Sequence, residues 1–351
     1  MILVKVLHNL RLADLTSLHA GGEANIAVET EAGDDLQTVI SEAKQPVWVL
    51  GYGTNILVSD KGLGGTVILN RTGEIEVLGG GKIRADSGAN WDDLVQKTIA
   101  DNLWGLEFTS GIPGGVGAAV AGNIAAYGHK VQDSFVEANI LNTKDGAVEA
   151  WPKDKLGFGY RTSVLQVPGN ELLVVLDATF SLSSLSRGNL EYESALKVAQ
   201  EMGIKPDSLA NRRKVILETR KRAGSLLKNT KIGPWTAGSF FKNPTVSEAD
   251  VQKIIDHEET NITRDMLLRQ NVIHGGDKAR VSAAHVLLAA GFRRGQSWGQ
   301  VRLHPDHILK IENLGSASAS DIYKVVQEII STVKGKLDIV LEPEVRFLGK
   351  F

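Results

Sequence analysis

The sequence predicts a mixed α+β fold, and three observations carry that expectation. Segments whose apolar residues recur at helical spacing alternate with short, extended apolar runs. Glycine is over-used and clustered, with 37 glycines against 9 prolines and dense points at 51–53, 79–81, 111–117 and 275–276. Such clusters between apolar runs mark turns or backbone cradles for a ligand. Finally, 351 residues with 42% hydrophobic and 23% charged content suffice for two or three domains with cores of their own.

The elements follow in order. From Asp34, the positions Leu36, Val39, Ile40 and Ala43 trace a helix that Pro46 ends. Val47-Trp48-Val49-Leu50 reads as a buried strand that runs into Gly51-Tyr52-Gly53-Thr54-Asn55 and then into Ile56-Leu57-Val58. Ile75 to Leu78 and Lys82 to Ala85 flank Gly79-Gly80-Gly81 as a hairpin. A helix from Asn90 places Leu94, Val95 and Ile99 on one face, and residues 136–182 are largely extended, with Leu172 to Leu176 the clearest strand. Residues 212–231 hold eight basic side chains against Glu218 alone; a solvated helix face and an anion-binding rim explain such a run equally well. Beyond it, Ser247 with Asp250 at capping-box spacing, Ser282 and Ser320 open three helices. The third carries the clearest stripe: Ile322, Val325, Val326, Ile329, Ile330 and Val333. Ile339 to Phe347 is extended, and Pro343 favours a sheet edge.

Charge and composition exclude whole classes of function. Lys and Arg total 39 against 41 Asp and Glu, so no global positive field exists to hold a nucleic acid or an anionic membrane. The absence of cysteine removes disulfides, thiolate zinc sites, cysteine nucleophiles and iron–sulfur clusters, so redox chemistry needs a cofactor. No apolar run is long enough to cross a bilayer, and a soluble, cytoplasmic protein is expected. His304-Pro305-Asp306-His307 reads as a surface turn rather than a metal site.

Three segments carry candidate chemistry. Gly51 to Asn55, following a strand, offers adjacent backbone N–H groups as a nest for a pyrophosphate, although it lacks the third glycine of a dinucleotide fingerprint and the lysine of a P-loop. Gly111-Ile112-Pro113-Gly114-Gly115-Val116-Gly117-Ala118 is a second cradle, and two cradles imply a large cofactor. In Ala237-Gly238-Ser239-Phe240-Phe241-Lys242-Asn243-Pro244, small neighbours let the Ser239 hydroxyl face a ligand while the phenylalanines exclude water. A lone serine is more often a turn or cap residue, and no Gly-x-Ser-x-Gly elbow supports hydrolysis.

These segments, with Trp91-Asp92-Asp93-Leu94, Gly105-Leu106-Glu107, Asn123-Ile124-Ala125-Ala126-Tyr127-Gly128, Phe158-Gly159-Tyr160-Arg161-Thr162-Ser163 and Leu341-Glu342-Pro343-Glu344-Val345-Arg346-Phe347, occur in the order and spacing of a known family. The chain resembles the UDP-N-acetylenolpyruvoylglucosamine reductases, flavoenzymes that complete UDP-N-acetylmuramate for bacterial cell walls. The resemblance implies an α+β fold with a two-part FAD-binding domain of the vanillyl-alcohol-oxidase type and a C-terminal-side α+β substrate-binding domain. It implies FAD subdomains at 1–70, completed by 336–351, and at 71–218, with the substrate domain at 219–335. By the same resemblance Gly51, Tyr52, Gly53, Thr54, Asn55, Ile112, Pro113, Gly114, Gly117, Asn123 and Arg346 bind FAD. Arg161, Ser239 and Glu344 form the catalytic set, and Tyr192 and Asn243 contact the UDP-sugar substrate. A monomer that takes NADPH as hydride donor is implied, with no metal.

In the family, NADPH reduces the flavin and leaves, and hydride then passes from flavin N5 to the terminal vinyl carbon of the substrate. Charge builds on the adjacent carbon and its carboxylate, where the fixed guanidinium fork of Arg161 is suited to hold two oxygens. A neutral Glu344 could donate a hydrogen bond there, and Ser239 would deliver the proton. The chain departs from the family pattern at Thr54, Gly122 and Ala125, and Ala223 stands where a phosphate-binding lysine is usual; Lys221, Arg222 and Lys228 are the substitutes at hand. The segment Leu226 to Thr236 resembles the actinobacterial branch. A different FAD oxidase of the same cofactor fold and a noncatalytic flavin- or sugar-nucleotide-binding protein are the alternatives.

Overall fold

The structure, a computed structural model, describes residues 4–186, 188–226, 233–257, 262–268 and 279–351. It divides into two compact units, the first made of Met1–Leu10, Ala24–Tyr52 and Gly64–Leu227, the second of Arg11–Glu23, Gly53–Leu63 and Lys228–Phe351.

The first unit is built on two sheets. Strands Lys5–Arg11, Glu23–Thr30, Leu63–Asn70 and Val47–Leu50 form one, in that spatial order. The last two run parallel, Val47 opposite Thr66, and the chain between them is long enough for the crossover that parallel pairing needs. Helix Gly33–Glu42 covers this sheet because Leu36, Val39 and Ile40 fall on one face and bury against Val28 and Ile68. The second sheet orders Val148–Pro152, Phe135–Asn142, Leu173–Ser181, Lys82–Asp86 and Ile75–Gly79. Its edge hairpin is the one expected around Gly79-Gly80-Gly81, all three of which take positive φ. Helix Trp91–Ala100 packs on it through Trp91, Leu94 and Val95, and the Asn90 side chain caps its start by accepting from the Asp92 and Asp93 N–H groups. A smaller core joins helices Glu193–Glu201 and Leu209–Arg222 through Ala195, Val198, Val215 and Ile216.

That last helix settles what the basic run does. Arg212 is fully buried and paired to the equally buried Glu107 at 3.0 Å, and Arg213 makes a two-pronged bond to Asp92 at 2.7 Å on each prong. Arg222 and Lys221 pair with Glu218 in solvent. Among the described members of the run, Arg212, Arg213 and Arg220 are spent on partners inside the unit, while Lys214, Lys221 and Arg222 form a solvated helix face. Lys228 lies outside the described residues.

The second unit centres on a sheet ordered Trp235–Ser239, Lys310–Asn313, Val301–Leu303 and Ser297–Trp298. Helices Glu248–His257, Ala283–Ala289 and Ala319–Leu337 pack with it, and the stripe Ile322, Val325, Val326, Ile329 and Val333 is buried as its spacing requires. Each such side chain contributes roughly 1.5–3 kcal/mol of burial. Of the three expected caps, Ser247 and Asp250 exchange their bonds reciprocally. The third helix begins two residues earlier than its stripe suggested: Ser318 and Asp321 form the capping box, and Asp60 accepts from the N–H groups of Ala319 and Ser320. Ser282 precedes its helix but makes no side-chain cap bond. Near the C-terminus only Arg346–Leu348 is a regular strand, parallel to Ile56–Val58.

Candidate active site

Sequence places the expected site residues in both units. Gly51, Tyr52, Ile112, Pro113, Gly114, Gly117, Asn123, Arg161 and Tyr192 belong to the first; Gly53, Thr54, Asn55, Ser239, Asn243, Glu344 and Arg346 belong to the second.

In the first unit the loop after strand Val47–Leu50 is held at its start. Arg71 donates to the Gly51 carbonyl at 2.9 Å and lies over the Tyr52 ring, whose hydroxyl donates to the Gly88 carbonyl at 3.2 Å. The second glycine segment lies beside it. Gly114 takes φ +124° and accepts from the Trp91 N–H, while Gly111 donates to Asp92 at 2.6 Å. Gly117 serves packing: its own N–H is spent on the Ser87 carbonyl, and a Cβ there would sit 2.8 Å from that of Ser87. Ile112 packs on the core of this unit.

Arg161 occupies a tight turn closed by the Gly159 N–H donating to the Thr162 carbonyl at 2.9 Å, with a left-handed φ of +54°. Non-glycine residues adopt that conformation at a cost, and it recurs where a side chain must be aimed. Asn123, itself at φ +42° and almost fully buried, fixes the turn by donating to the Gly159 carbonyl at 2.8 Å. Its amide also bridges to Gln132, so the role visible for Asn123 is to brace the Arg161 turn.

Tyr127 and Gly128, both at positive φ, turn the short hairpin Ala125–Ala126 and His129–Lys130. The Tyr127 ring meets that of Tyr192 edge-on at 5.2 Å. Burial pushes the Tyr127 hydroxyl up to about 12, even though Arg220 beside it favours the ionised form. Arg220 is lowered from its usual range by burial and, more weakly, by Arg161, against the pull of Tyr127 and Asp92. Two arginines, two tyrosines and the Gly111 backbone therefore converge. Sequence reading singled out Arg161 and Tyr192 but missed Tyr127 and Arg220; the left-handed φ at Tyr127 has no signal in sequence, and Arg220 was hidden in a run of like residues.

In the second unit, Gly53 takes φ +64° with the Leu15 carbonyl so close that a Cβ would fall 2.1 Å from its oxygen. Ser17 donates to the Thr54 carbonyl, and Asn55 donates to the Glu344 carbonyl at 3.0 Å while accepting from the Arg346 N–H. The glycine loop is thereby tied to the C-terminal segment. Ser239 ends its strand after an irregularity in pairing at Gly238, which takes φ +83°. One residue further on, the Phe240 carbonyl accepts from the Glu344 N–H at 2.8 Å, and Lys242 donates its N–H to the Glu342 carbonyl. Ser239 and Glu344, distant by more than a hundred positions in sequence, are thus on directly bonded segments. Asn243 accepts from the Ala283 N–H at 3.0 Å, replacing Ser282 as the cap of helix Ala283–Ala289.

Comparison with known proteins bears on this arrangement. Residues 227–348 match the family described as UDP-N-acetylenolpyruvoylglucosamine reductase, C-terminal domain, and residues 24–150 match an FAD binding domain. A UDP-N-acetylenolpyruvoylglucosamine reductase of Nocardia farcinica is 34% identical over 340 residues, covering 95% of this chain and 87% of that one. The chain belongs to the UDP-N-acetylenolpyruvoylglucosamine reductase family. The reductase of Saccharopolyspora erythraea is 32% identical, with 95% and 93% covered. The crystal structure of the Thermus caldophilus reductase superposes with a TM-score of 0.66 at 24% identity, covering 99% of this chain and all of that one, and shares its fold.

Members of this family are flavin-dependent oxidoreductases, and FAD is the cofactor of this chain. The residues present fit it. Among the described residues, the consecutive N–H groups of Gly53, Thr54 and Asn55 meet no acceptor, which is the donor array a pyrophosphate needs. Gly53 admits no side chain at the start of that array. No group of metal-ligating side chains occurs among the described residues, and His304 to His307 forms a turn whose two histidines are half-buried rather than solvated. No helix among the described residues is long and apolar enough to cross a membrane.

Proposed function

We propose that this chain reduces the enolpyruvyl group of UDP-N-acetylglucosamine enolpyruvate to the lactyl ether of UDP-N-acetylmuramate, with NADPH as hydride source. When bound, FAD supplies the hydride chemistry, accepting from NADPH and giving to the terminal vinyl carbon. Every other role falls to side chains. Arg161, aimed by its left-handed turn, holds the substrate carboxylate through two parallel N–H bonds and meets the charge that builds there. Ser239 donates its hydroxyl proton to the carbon bearing that carboxylate. Glu344 completes the catalytic set. Tyr192 and Asn243 contact the UDP-sugar. Gly51 to Asn55, Ile112 to Gly114, Gly117, Asn123 and Arg346 hold or shape the FAD site.

The observation that supports the reading is the backbone bonding of the segments that carry Ser239 and Glu344 in a chain of this family. In the same reading residues 1–70 with 336–351, and 71–218, bind FAD, 219–335 bind substrate, and the enzyme works as a cytoplasmic monomer.

The test follows flavin absorbance under anaerobic conditions. NADPH should bleach the purified holoenzyme, and UDP-N-acetylglucosamine enolpyruvate should restore the oxidised spectrum with one equivalent of UDP-N-acetylmuramate formed. A reduced flavin that oxygen reoxidises but the enolpyruvyl sugar does not would point to an oxidase of the same cofactor fold.

A further inference from the structure

The central sheet of the second unit carries an apolar face and a polar one. Val301, Leu303 and Ile311 turn into the core. The alternating residues Arg302, Lys310 and Glu312 must therefore point the other way. Lys310 and Glu312 are nevertheless 1% and 3% exposed, an unusual place for either residue type. Glu312 is accounted for: Arg302 donates to it through Nε at 2.9 Å and Nη2 at 2.7 Å, and His304 approaches it at 3.7 Å. Lys310 is the residue directly opposite Ser239.

The kind of pairing matters. Phe240 donates its N–H to the Leu309 carbonyl at 2.7 Å, which makes Ser239 and Lys310 a non-hydrogen-bonded antiparallel pair. Cα atoms in such pairs are about 4.5 Å apart and the side chains leave the same face side by side. The register thus brings Lys310 and Ser239 out of the same face of the sheet as direct neighbours.

An isolated serine hydroxyl is a poor acid, and the oxygen it leaves behind is a strong base in a site closed to water. A neighbouring cation answers both difficulties, by favouring the anionic oxygen and by holding a proton to return to it. His307, on the turn leading into Lys310, is held down to about 4 by burial first and by the Lys310 charge second, so it stays neutral near pH 7 and is no competing proton source.

We propose that Lys310 is a positioning residue for this reaction, passing a proton from Nζ to the Ser239 oxygen as the Ser239 proton moves to the substrate carbon. The bond changes balance: the Ser239 O–H breaks and a substrate C–H forms, a Lys310 N–H breaks and a new Ser239 O–H forms, and the neutral amine takes a proton from solvent before the next turnover. The proposal rests on Ser239 as proton donor.

The experiment reduces the wild-type holoenzyme with NADPH, mixes it anaerobically with the enolpyruvyl sugar, and measures reoxidation in H2O–D2O mixtures. Two protons moving together give a bowed dependence of rate on deuterium fraction; a linear dependence overturns the proposal. In Lys310→Met the rate at saturating substrate should fall roughly 10²-fold, with the half-saturating concentration unchanged and the isotope dependence linear. An unchanged rate, or a loss confined to the half-saturating concentration, overturns it. If Lys310→Met fails to retain flavin, the wild-type isotope dependence decides alone. A wild-type enzyme whose reduced flavin the substrate leaves untouched overturns the proposed function, and this proposal with it.

Discussion

Individual residues here act through the backbone conformations that aim them. Arg161 is the clearest case, because its turn, braced by Asn123, stores strain for which a surface ion-pair role would give no reason. Arg161→Lys keeps the charge but loses the fork, and should slow flavin reoxidation by the substrate roughly 10²-fold while leaving flavin reduction by NADPH much less affected. Stopped-flow absorbance of the two half-reactions checks this. His307 gives a second prediction at the same scale. Its folded value, about 4, lies below the unfolded 6.5, so the unfolded chain binds the extra proton between those values. Stability should therefore be full above pH 6.5 and fall as pH drops toward about 4, by about 3 kcal/mol from this group. Urea unfolding from pH 7 to pH 4 should show that loss, and His307→Gln should flatten the slope.

At the scale of elements, helix Leu209–Arg222 is fixed by two ion pairs of different character, one to Glu107 in the loop Gly105 to Gly111 and one to Asp92 at the start of helix Trp91–Ala100. Arg213 and Asp92 are partly exposed, but Arg212 and Glu107 are sealed, with Arg212 stacked over Trp104 and Phe108 and donating to the Gly188 carbonyl. Removing one member of such a buried pair leaves its partner uncompensated. Glu107→Gln should lower unfolding free energy by about 3–5 kcal/mol, measured by urea titration, and much more than Asp92→Asn. The existence of these elements was legible in the sequence, since apolar spacing marks helices from 34, 90 and 320 and glycines mark the hairpin at 79–81. Which residue closes a helix was less so. Asp60 caps the helix at Ala319, and Asn243 caps the one at Ala283, from far away in sequence, where no local rule reaches. The basic run was only half legible for a related reason: composition reports charge but not the acidic partners that folding brings to Arg212 and Arg213.

On the whole-molecule scale, the fold places chain segments separated by hundreds of residues on bonded neighbours. Asn55 with Glu344 and Arg346, and Phe240 with Glu344, join the glycine loop, the C-terminal segment and the Ser239 strand in one unit. The candidate site residues could be named from sequence only because several short motifs occurred together in order, each being weak alone. Tyr127, Arg220 and Lys310 escaped because their significance lies in a φ angle, a buried contact and a strand register. In the proposed reaction the hydroxyl of Ser239 is the proton source for the second half-reaction alone, and one measurement addresses that directly. In Ser239→Ala, NADPH should bleach the flavin at close to the wild-type rate, while reoxidation by UDP-N-acetylglucosamine enolpyruvate should slow roughly 10²–10⁴-fold. Equal slowing of both half-reactions, or reoxidation at the wild-type rate, would contradict it.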